Sequence, residues 1–333
     1  MAYILSSFRQ ERDNLLGQNR VKENEDVISS FLFDYKSCRI ELVNVNSGGF
    51  IMLFSKIIKK KFDAVLGRYE GDPAITYPKI EDFPNLNRQY YPIQGDRQVQ
   101  LEGYFYFKEA FNPDQFIIFD HGISAGHEAY LNEINMLAEN GYTVYSYDHT
   151  GCVHTKGSGI LGFAQGINDL DHVVSALLKD STLQIQKVRL MGHSWGAYAS
   201  MNVAALHPEV THIVSLAGFL SARALNEQYI PKPFLKYSDE VMDRERQHNP
   251  KYADMNALDS LKKSDCALFY IQSKEDQKVK FELGYEPLYN AFHDRKNTQF
   301  VAVENHGHDP QRLPNEEFKQ DLTTWKLILQ FLE

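Results

Sequence analysis

Val188-Arg189-Leu190-Met191-Gly192-His193-Ser194-Trp195-Gly196 is the stretch from which the fold can be read. A short apolar run carrying one arginine ends in Gly-x-Ser-x-Gly, and a segment rich in small residues follows: Ala197, Ala199, Ser200, Ala204 and Ala205. This order predicts a buried strand, a tight turn and a helix packed close against the sheet. A serine at the tip of such a turn sits in a strained backbone conformation, and Cβ atoms two positions either side would crowd it, so both glycines have a steric role. The turn lifts the Ser194 hydroxyl clear of the strand. It also aims the Trp195 N–H, at a helix N-terminus, toward any developing oxyanion. Five residues with three fixed can arise by chance, so the motif takes its weight from the strand before it and the helix after it.

Outward from this turn the chain alternates. Apolar runs at 115–119, 142–147, 212–216, 266–271 and 299–303 are separated by helical stretches at about 126–140, 169–178 and 283–292. Near-continuous apolar strands between helices predict a mostly parallel sheet covered on both faces. A hairpin is expected around Gly95-Asp96, and a final helix is expected to start at Pro314-Asn315 and carry Phe318, Leu322, Trp325, Leu329 and Leu332. Residues 219–263 interrupt the alternation with Tyr229, Pro231, Phe234, Leu235 and Tyr237, then a charged helix from Ser238. An insertion between two strands lies over the edge where open α/β sheets bind ligands, so it reads as a lid, the plainer alternative being a solvated excursion. Residues 1–85 stand outside the pattern as an extension packed on the core, and 86–333 form the main domain. Within the extension, Met52, Phe54, Ile58, Phe62, Val65 and Leu66 recur at helical spacing among lysines, which favours a helix docked on the core over a membrane-surface helix.

The chain has 333 residues, 43% hydrophobic and 24% charged, an ordinary globular composition with ample material for one large core. A net charge of −9 gives no reason to expect a nucleic-acid partner. No apolar run of the length that spans a bilayer occurs, and the charged residues Arg9, Glu11, Arg12 and Asp13 soon after the start argue against a secretory leader. Cys38, Cys152 and Cys266 are scattered and odd in number, which suits reduced thiols in a cytoplasmic protein. With no zinc-ligand spacing and no phosphate-binding glycine loop, neither a metal nor a cofactor is expected.

A serine hydroxyl needs a base within reach, and the base needs a third group to fix its tautomer. Later strand ends supply both. The run 266–271 leads into Ser273-Lys274-Glu275-Asp276-Gln277-Lys278-Val279, and the run 299–303 leads into Glu304-Asn305-His306-Gly307-His308. A parallel sheet brings all three strand ends to one edge. Two ambiguities remain at this point: Glu275 beside Asp276, and His306 beside His308.

These segments resemble the α/β-hydrolase superfamily, nearest to its carboxylesterase, monoacylglycerol-lipase and serine-aminopeptidase-like members, over roughly Asn87 to Glu333. The resemblance implies that Ser194 is the nucleophile. It implies that Asp276 is the acid, in a segment with Ser273 where the family has glycine, and that His308, after Gly307, is the base. His121-Gly122 matches the family's oxyanion loop, so the N–H groups of Ile123 and Trp195 are the implied oxyanion donors. His121, Gly122, Tyr229, Phe234 and Leu235 are the candidate substrate-binding residues. Asp148-x-x-Gly151 resembles a structural turn, and His193 receives no catalytic role. The implied reaction is hydrolysis of a carboxyl ester of small or medium acyl length through an acyl-enzyme, with a small-molecule ester or related acyl compound as the substrate and the oligomeric state left open. Amide, peptide and thioester substrates stay open, as does a catalytically silent protein that keeps the fold for binding.

Overall fold

The computed structural model describes residues 66–333 apart from 74, 124, 125, 231 and 317. The apolar and lysine pattern from Met52 to Val65, and with it most of the N-terminal extension, lies outside the described residues. Those that are described belong to one compact unit, and the other unit, residues 1–44, lies outside them.

The sheet strands are β1 (Asn87–Tyr90), β4 (Gly103–Phe107), β5 (Phe116–Asp120), β6 (Thr143–Tyr147), β7 (Val188–His193), β8 (Val210–Leu216), β9 (Ala267–Ser273) and β10 (Thr298–Val303). They form an eight-stranded sheet in the order β1-β4-β6-β5-β7-β8-β9-β10. β1 with β4 and β4 with β6 are antiparallel, and every later pair is parallel. The central strand β5 reads Phe-Ile-Ile-Phe-Asp and is buried throughout, as a parallel strand covered on both faces must be. The expected hairpin around Gly95 is split. β1 pairs with β4 in the main sheet, while β2 (Ile93–Gln94) pairs with β3 (Gln100–Leu101) as a separate two-stranded ribbon.

Side-chain alternation sorts the core into two layers. Phe116, Ile118, Leu190, Leu268 and Tyr270 face a layer that includes helices α2 (Ala164–Lys179), α3 (Trp195–Val203), α6 (Ala257–Lys262) and α7 (Tyr285–Phe292). Ile117, Phe119, Met191, Phe269 and Ile271 face α1 (Leu131–Glu139) and α8 (Leu322–Leu332). The last helix starts later than its apolar spacing suggests. Asn315 and Phe318 adopt positive φ, 61° and 60°, and the helix begins only after Asp321, whose carboxylate caps the Thr323 N–H. Between β8 and β9 the insertion folds into α4 (Ala222–Tyr229), a short 3-10 segment (Lys232–Tyr237) and α5 (Ser238–His248), and α6 follows. Ser221 caps α4 through its side chain, whereas α5 begins at Ser238 itself, after Tyr237.

Candidate active site

Ser194 joins β7 to α3 at φ 53° and ψ −107°, a left-handed conformation held in place by its surroundings. A Cβ on Gly192 would run into the backbone of Gly196, and a Cβ on Gly196 into the Asp120 carbonyl, so the turn can close only with both positions bare. The Ser194 N–H donates to the Leu216 carbonyl at 2.8 Å, which ties the turn to β8. Trp195 opens α3, so its backbone N–H has no carbonyl one turn back to bond.

Asp276 and His308 meet. The His308 Nδ1–H donates to Asp276 Oδ2 at 2.8 Å, with the imidazole 8% exposed and the carboxylate fully buried. The other carboxylate oxygen, Oδ1, accepts the N–H groups of Lys278 at 2.9 Å and Val279 at 3.0 Å. Gln272 Nε2 lies 3.3 Å from Oδ2 and 2.6 Å from the Val279 carbonyl. The neighbouring candidates are occupied elsewhere. Glu275 accepts from Ser273 Oγ at 2.8 Å and from the Asn305 N–H at 2.9 Å, which closes the loop against the β10 end. His306 bonds the Glu304 carbonyl at 2.7 Å and Asp321 at 3.2 Å.

His193 bridges the elbow to the histidine loop. Tyr130 Oη accepts the Gly122 N–H at 3.1 Å and stands 2.8 Å from His193 Nδ1, while His193 Nε2 stands 2.8 Å from the His308 carbonyl. A carbonyl only accepts, so Nε2 carries the proton and the phenol donates to Nδ1. Burial pushes the His193 pKa down to about 4, so this neutral form is the one present at neutral pH. The His193 and His308 rings lie 4.8 Å apart between centroids, which places His308 beside the residue preceding Ser194. Among the described residues, no hydrogen bond joins Ser194 Oγ to His308, a contact that often tightens only when substrate binds. Arg312 anchors the segment after His308 through Glu133 at 2.7 Å and Asp309 at 3.4 Å.

In the loop expected to hold the oxyanion, Gly122 is buried and Ile123 is half-buried against the core. His121 is fully buried with both ring nitrogens engaged: Nδ1–H donates to the Gly122 carbonyl at 2.8 Å and Nε2 accepts the His149 N–H at 3.0 Å. It therefore shapes the loop and presents no side-chain atom to a ligand, a correction to its candidacy as a substrate contact. Burial, with His149 beside it, pushes its pKa down to about 3. Beneath the loop, His149 Nε2 lies 2.6 Å from Asp120 and Nδ1 lies 3.3 Å from Asp169, all three side chains fully buried. Asp148 accepts from the backbone and ring nitrogens of both His127 and His154, at 2.7 to 3.0 Å, which gives the Asp148-x-x-Gly151 turn a structural function.

Tyr229 Oη donates to the Lys278 carbonyl at 2.6 Å, so α4 touches the Asp276 turn. Leu235 is 37% exposed, and the Phe234 side chain lies outside the described residues. Sequence reading missed Gln272, Tyr130 and His193. A polar Gln inside an otherwise apolar strand was a usable signal, since such a group is buried only with partners. Among the described residues, no group of three or more His, Cys, Asp or Glu is placed to hold a metal ion.

Known proteins resemble this chain in fold. The model of the serine aminopeptidase S33 family matches residues 112–276. A putative non-heme haloperoxidase of Mycobacterium phage D29 is 32% identical over 113 residues, a match spanning 34% of this chain and 38% of that relative's length. An esterase of Pyrococcus furiosus superposes with a TM-score of 0.59 at 17% identity, covering 80% of this chain and 97% of that one. The acylaminoacyl peptidase of Pyrococcus horikoshii superposes with a TM-score of 0.57 at 15% identity, over 76% of this chain and 42% of the other. The sheet order, the glycine-bounded elbow at Ser194 and these likenesses together show that the chain has the α/β-hydrolase fold.

Proposed function

We propose that the protein is a serine hydrolase that cleaves carboxyl esters of small or medium acyl length through an acyl-enzyme on Ser194. The observation that carries this reading is the 2.8 Å bond from His308 Nδ1 to the buried Asp276 at the edge that holds the strained Ser194 turn. Asp276 fixes the His308 tautomer, so Nε2 is the nitrogen that takes the Ser194 proton as Oγ attacks the acyl carbonyl. The Ile123 and Trp195 N–H groups hold the oxyanion. His308 then returns the proton to the leaving group, and water deacylates the serine.

Esters need the least leaving-group help, which makes them the first choice. The serine aminopeptidase family model supports a second reading, peptide or amide cleavage by the same three residues. In either case, the insertion at 219–263 acts as the lid and Tyr229, Phe234 and Leu235 contribute to the acyl pocket. Cytoplasmic placement fits the free, buried Cys152 and Cys266, and no described helix is long and apolar enough to cross a membrane. Fluorophosphonate labelling, followed by a panel of esters graded by acyl length with peptide amides alongside, tests the proposal. Labelling of Ser194 with turnover of short esters is expected. An unlabelled serine would leave a silent binding protein, and turnover confined to amides would favour the peptidase reading.

A further inference from the structure

Glu245 lies on α5, within the insertion, and is fully buried. Its carboxylate accepts the N–H groups of Phe163 at 2.8 Å and Ala164 at 3.1 Å, at the start of α2. α2 is 16 residues long, yet Phe163 supplies no side-chain cap and the first turn holds no acidic residue. The cap comes instead from an element that follows in the chain after two intervening strands. The backbone is shaped to receive it: Gly162 has φ +108°, and a Cβ there would collide with the Glu245 carboxylate.

Phe163 also faces the other way. Its carbonyl accepts the Trp195 indole N–H at 2.7 Å. Gly166 lacks the Cβ that would otherwise stand 2.7 Å from that same indole nitrogen. One peptide segment thus donates to the insertion and accepts from the residue after Ser194. Both ends of the chain are buried, so neither bond competes with water.

We propose that Glu245 is a positioning residue: it docks the insertion on the α2 N-terminus and, through Phe163, fixes Trp195, whose backbone N–H holds the oxyanion. The proposal rests on the serine hydrolase reading of Ser194. It makes the insertion part of the oxyanion machinery as well as a cover for substrate. Loosening α5 shifts Phe163, and Trp195 loses the partner that holds its indole.

Glu245→Gln, Trp195→Phe and the double variant, assayed on one short-chain ester with Tm measured alongside, provide the test. Each single variant is expected to lower kcat about tenfold, short of the 10²–10³ seen when an oxyanion donor is lost outright, with KM held within about twofold. The double variant should fall no further than the worse single one, because both bonds are links of one chain. Wild-type kcat in Glu245→Gln, or losses that multiply to about a hundredfold in the double variant, overturns the proposal. If Glu245→Gln does not fold, Glu245→Asp keeps the carboxyl group one methylene short. A lower kcat at unchanged KM there supports the positioning role, and wild-type kcat overturns it. A wild-type protein that neither labels with a fluorophosphonate nor turns over any ester or amide overturns both readings together, whereas an active wild type with an indifferent Glu245→Gln overturns only this one.

Discussion

Two histidine–carboxylate pairs, Asp276–His308 and Asp120–His149, lie at the same edge of the sheet and use the same groups to different ends. In the first, a single carboxylate holds Nδ1, and among the described residues Nε2 has no hydrogen-bond partner. In the second, carboxylates stand at both ring nitrogens and all three side chains are fully buried. A ring with one nitrogen left over can take a proton and pass it on. A ring held at both nitrogens is a fixed cation: burial disfavours the charge, but Asp120 and Asp169 carry the His149 pKa up to about 9. The His149 ring centroid lies 4.4 Å from that of Trp195, so this cation braces the elbow from below. The free nitrogen, more than the residue pair, marks the site that can do chemistry.

The comparison breaks most directly at His308. His308→Ala is expected to lower kcat on a short ester by on the order of 10⁶, as loss of a triad member does, while the protein still folds. His306→Ala, two residues away, should keep kcat within a few-fold, because its ring serves the Asp321 cap of α8. Steady-state assays of the two variants side by side check this, and a dead His306→Ala would move the base by two residues.

Asp276→Asn comes next. It keeps the shape of the group but can hold His308 in the wrong tautomer, a change that lowers kcat by about 10⁴ in serine proteases. Glu275→Gln should lose little, since that carboxylate only closes the loop through Ser273 and Asn305. Measured kcat values in the reverse order would transfer the acid to Glu275.

How far the sequence carried this reading follows from what each feature depends on. β5, β7, β8 and β9 were legible because buried parallel strands are nearly continuous apolar runs, and the elbow was legible because only glycine fits its two flanking positions. The choice of Asp276 over Glu275 came only from the family resemblance, and the bond to His308 supplies the geometry. The split hairpin and the late start of α8 were not legible, because both depend on local left-handed turns, at Arg97 and Gln98 and at Asn315 and Phe318. His193 and Glu245 were hidden for a different reason. Their partners, Tyr130 and Phe163, lie far away in the chain, and no spacing rule links them.

On the His149 side the expected effect is on stability. His149→Gln removes the cation between two buried carboxylates, and breaking a buried pair costs roughly 3–5 kcal/mol. The pH dependence has a definite sign. The folded-state pKa of about 9 exceeds the ordinary 6.5, so the pair contributes fully below about pH 6.5 and its contribution is lost as pH rises through about 9. The Tm gap between wild type and His149→Gln should therefore be wide at pH 6.5 and narrow by pH 10. A gap independent of pH would mean that the ring acts by packing alone.

The smallest expected effect tests how firmly the insertion grips Asp276, the proposed acid. Tyr229→Phe deletes one hydrogen bond, from Oη to the Lys278 carbonyl at 2.6 Å. Burial pushes this phenol up to about 12, so it remains a donor throughout any practical assay range. The deleted bond does not touch Asp276, whose Oδ1 keeps the Lys278 and Val279 N–H groups. Nor is the Lys278 carbonyl stranded, because Gln228 Nε2 still donates to it at 3.0 Å. A single neutral bond with a second donor in reserve is worth about 1 kcal/mol, so kcat should fall no more than about fivefold and Tm should drop by a few degrees. A loss approaching that of Asp276→Asn would show that α4 sets the position of the acid. The fixed and the working histidine pairs would then differ in a second respect, one braced from within the sheet and the other from the insertion.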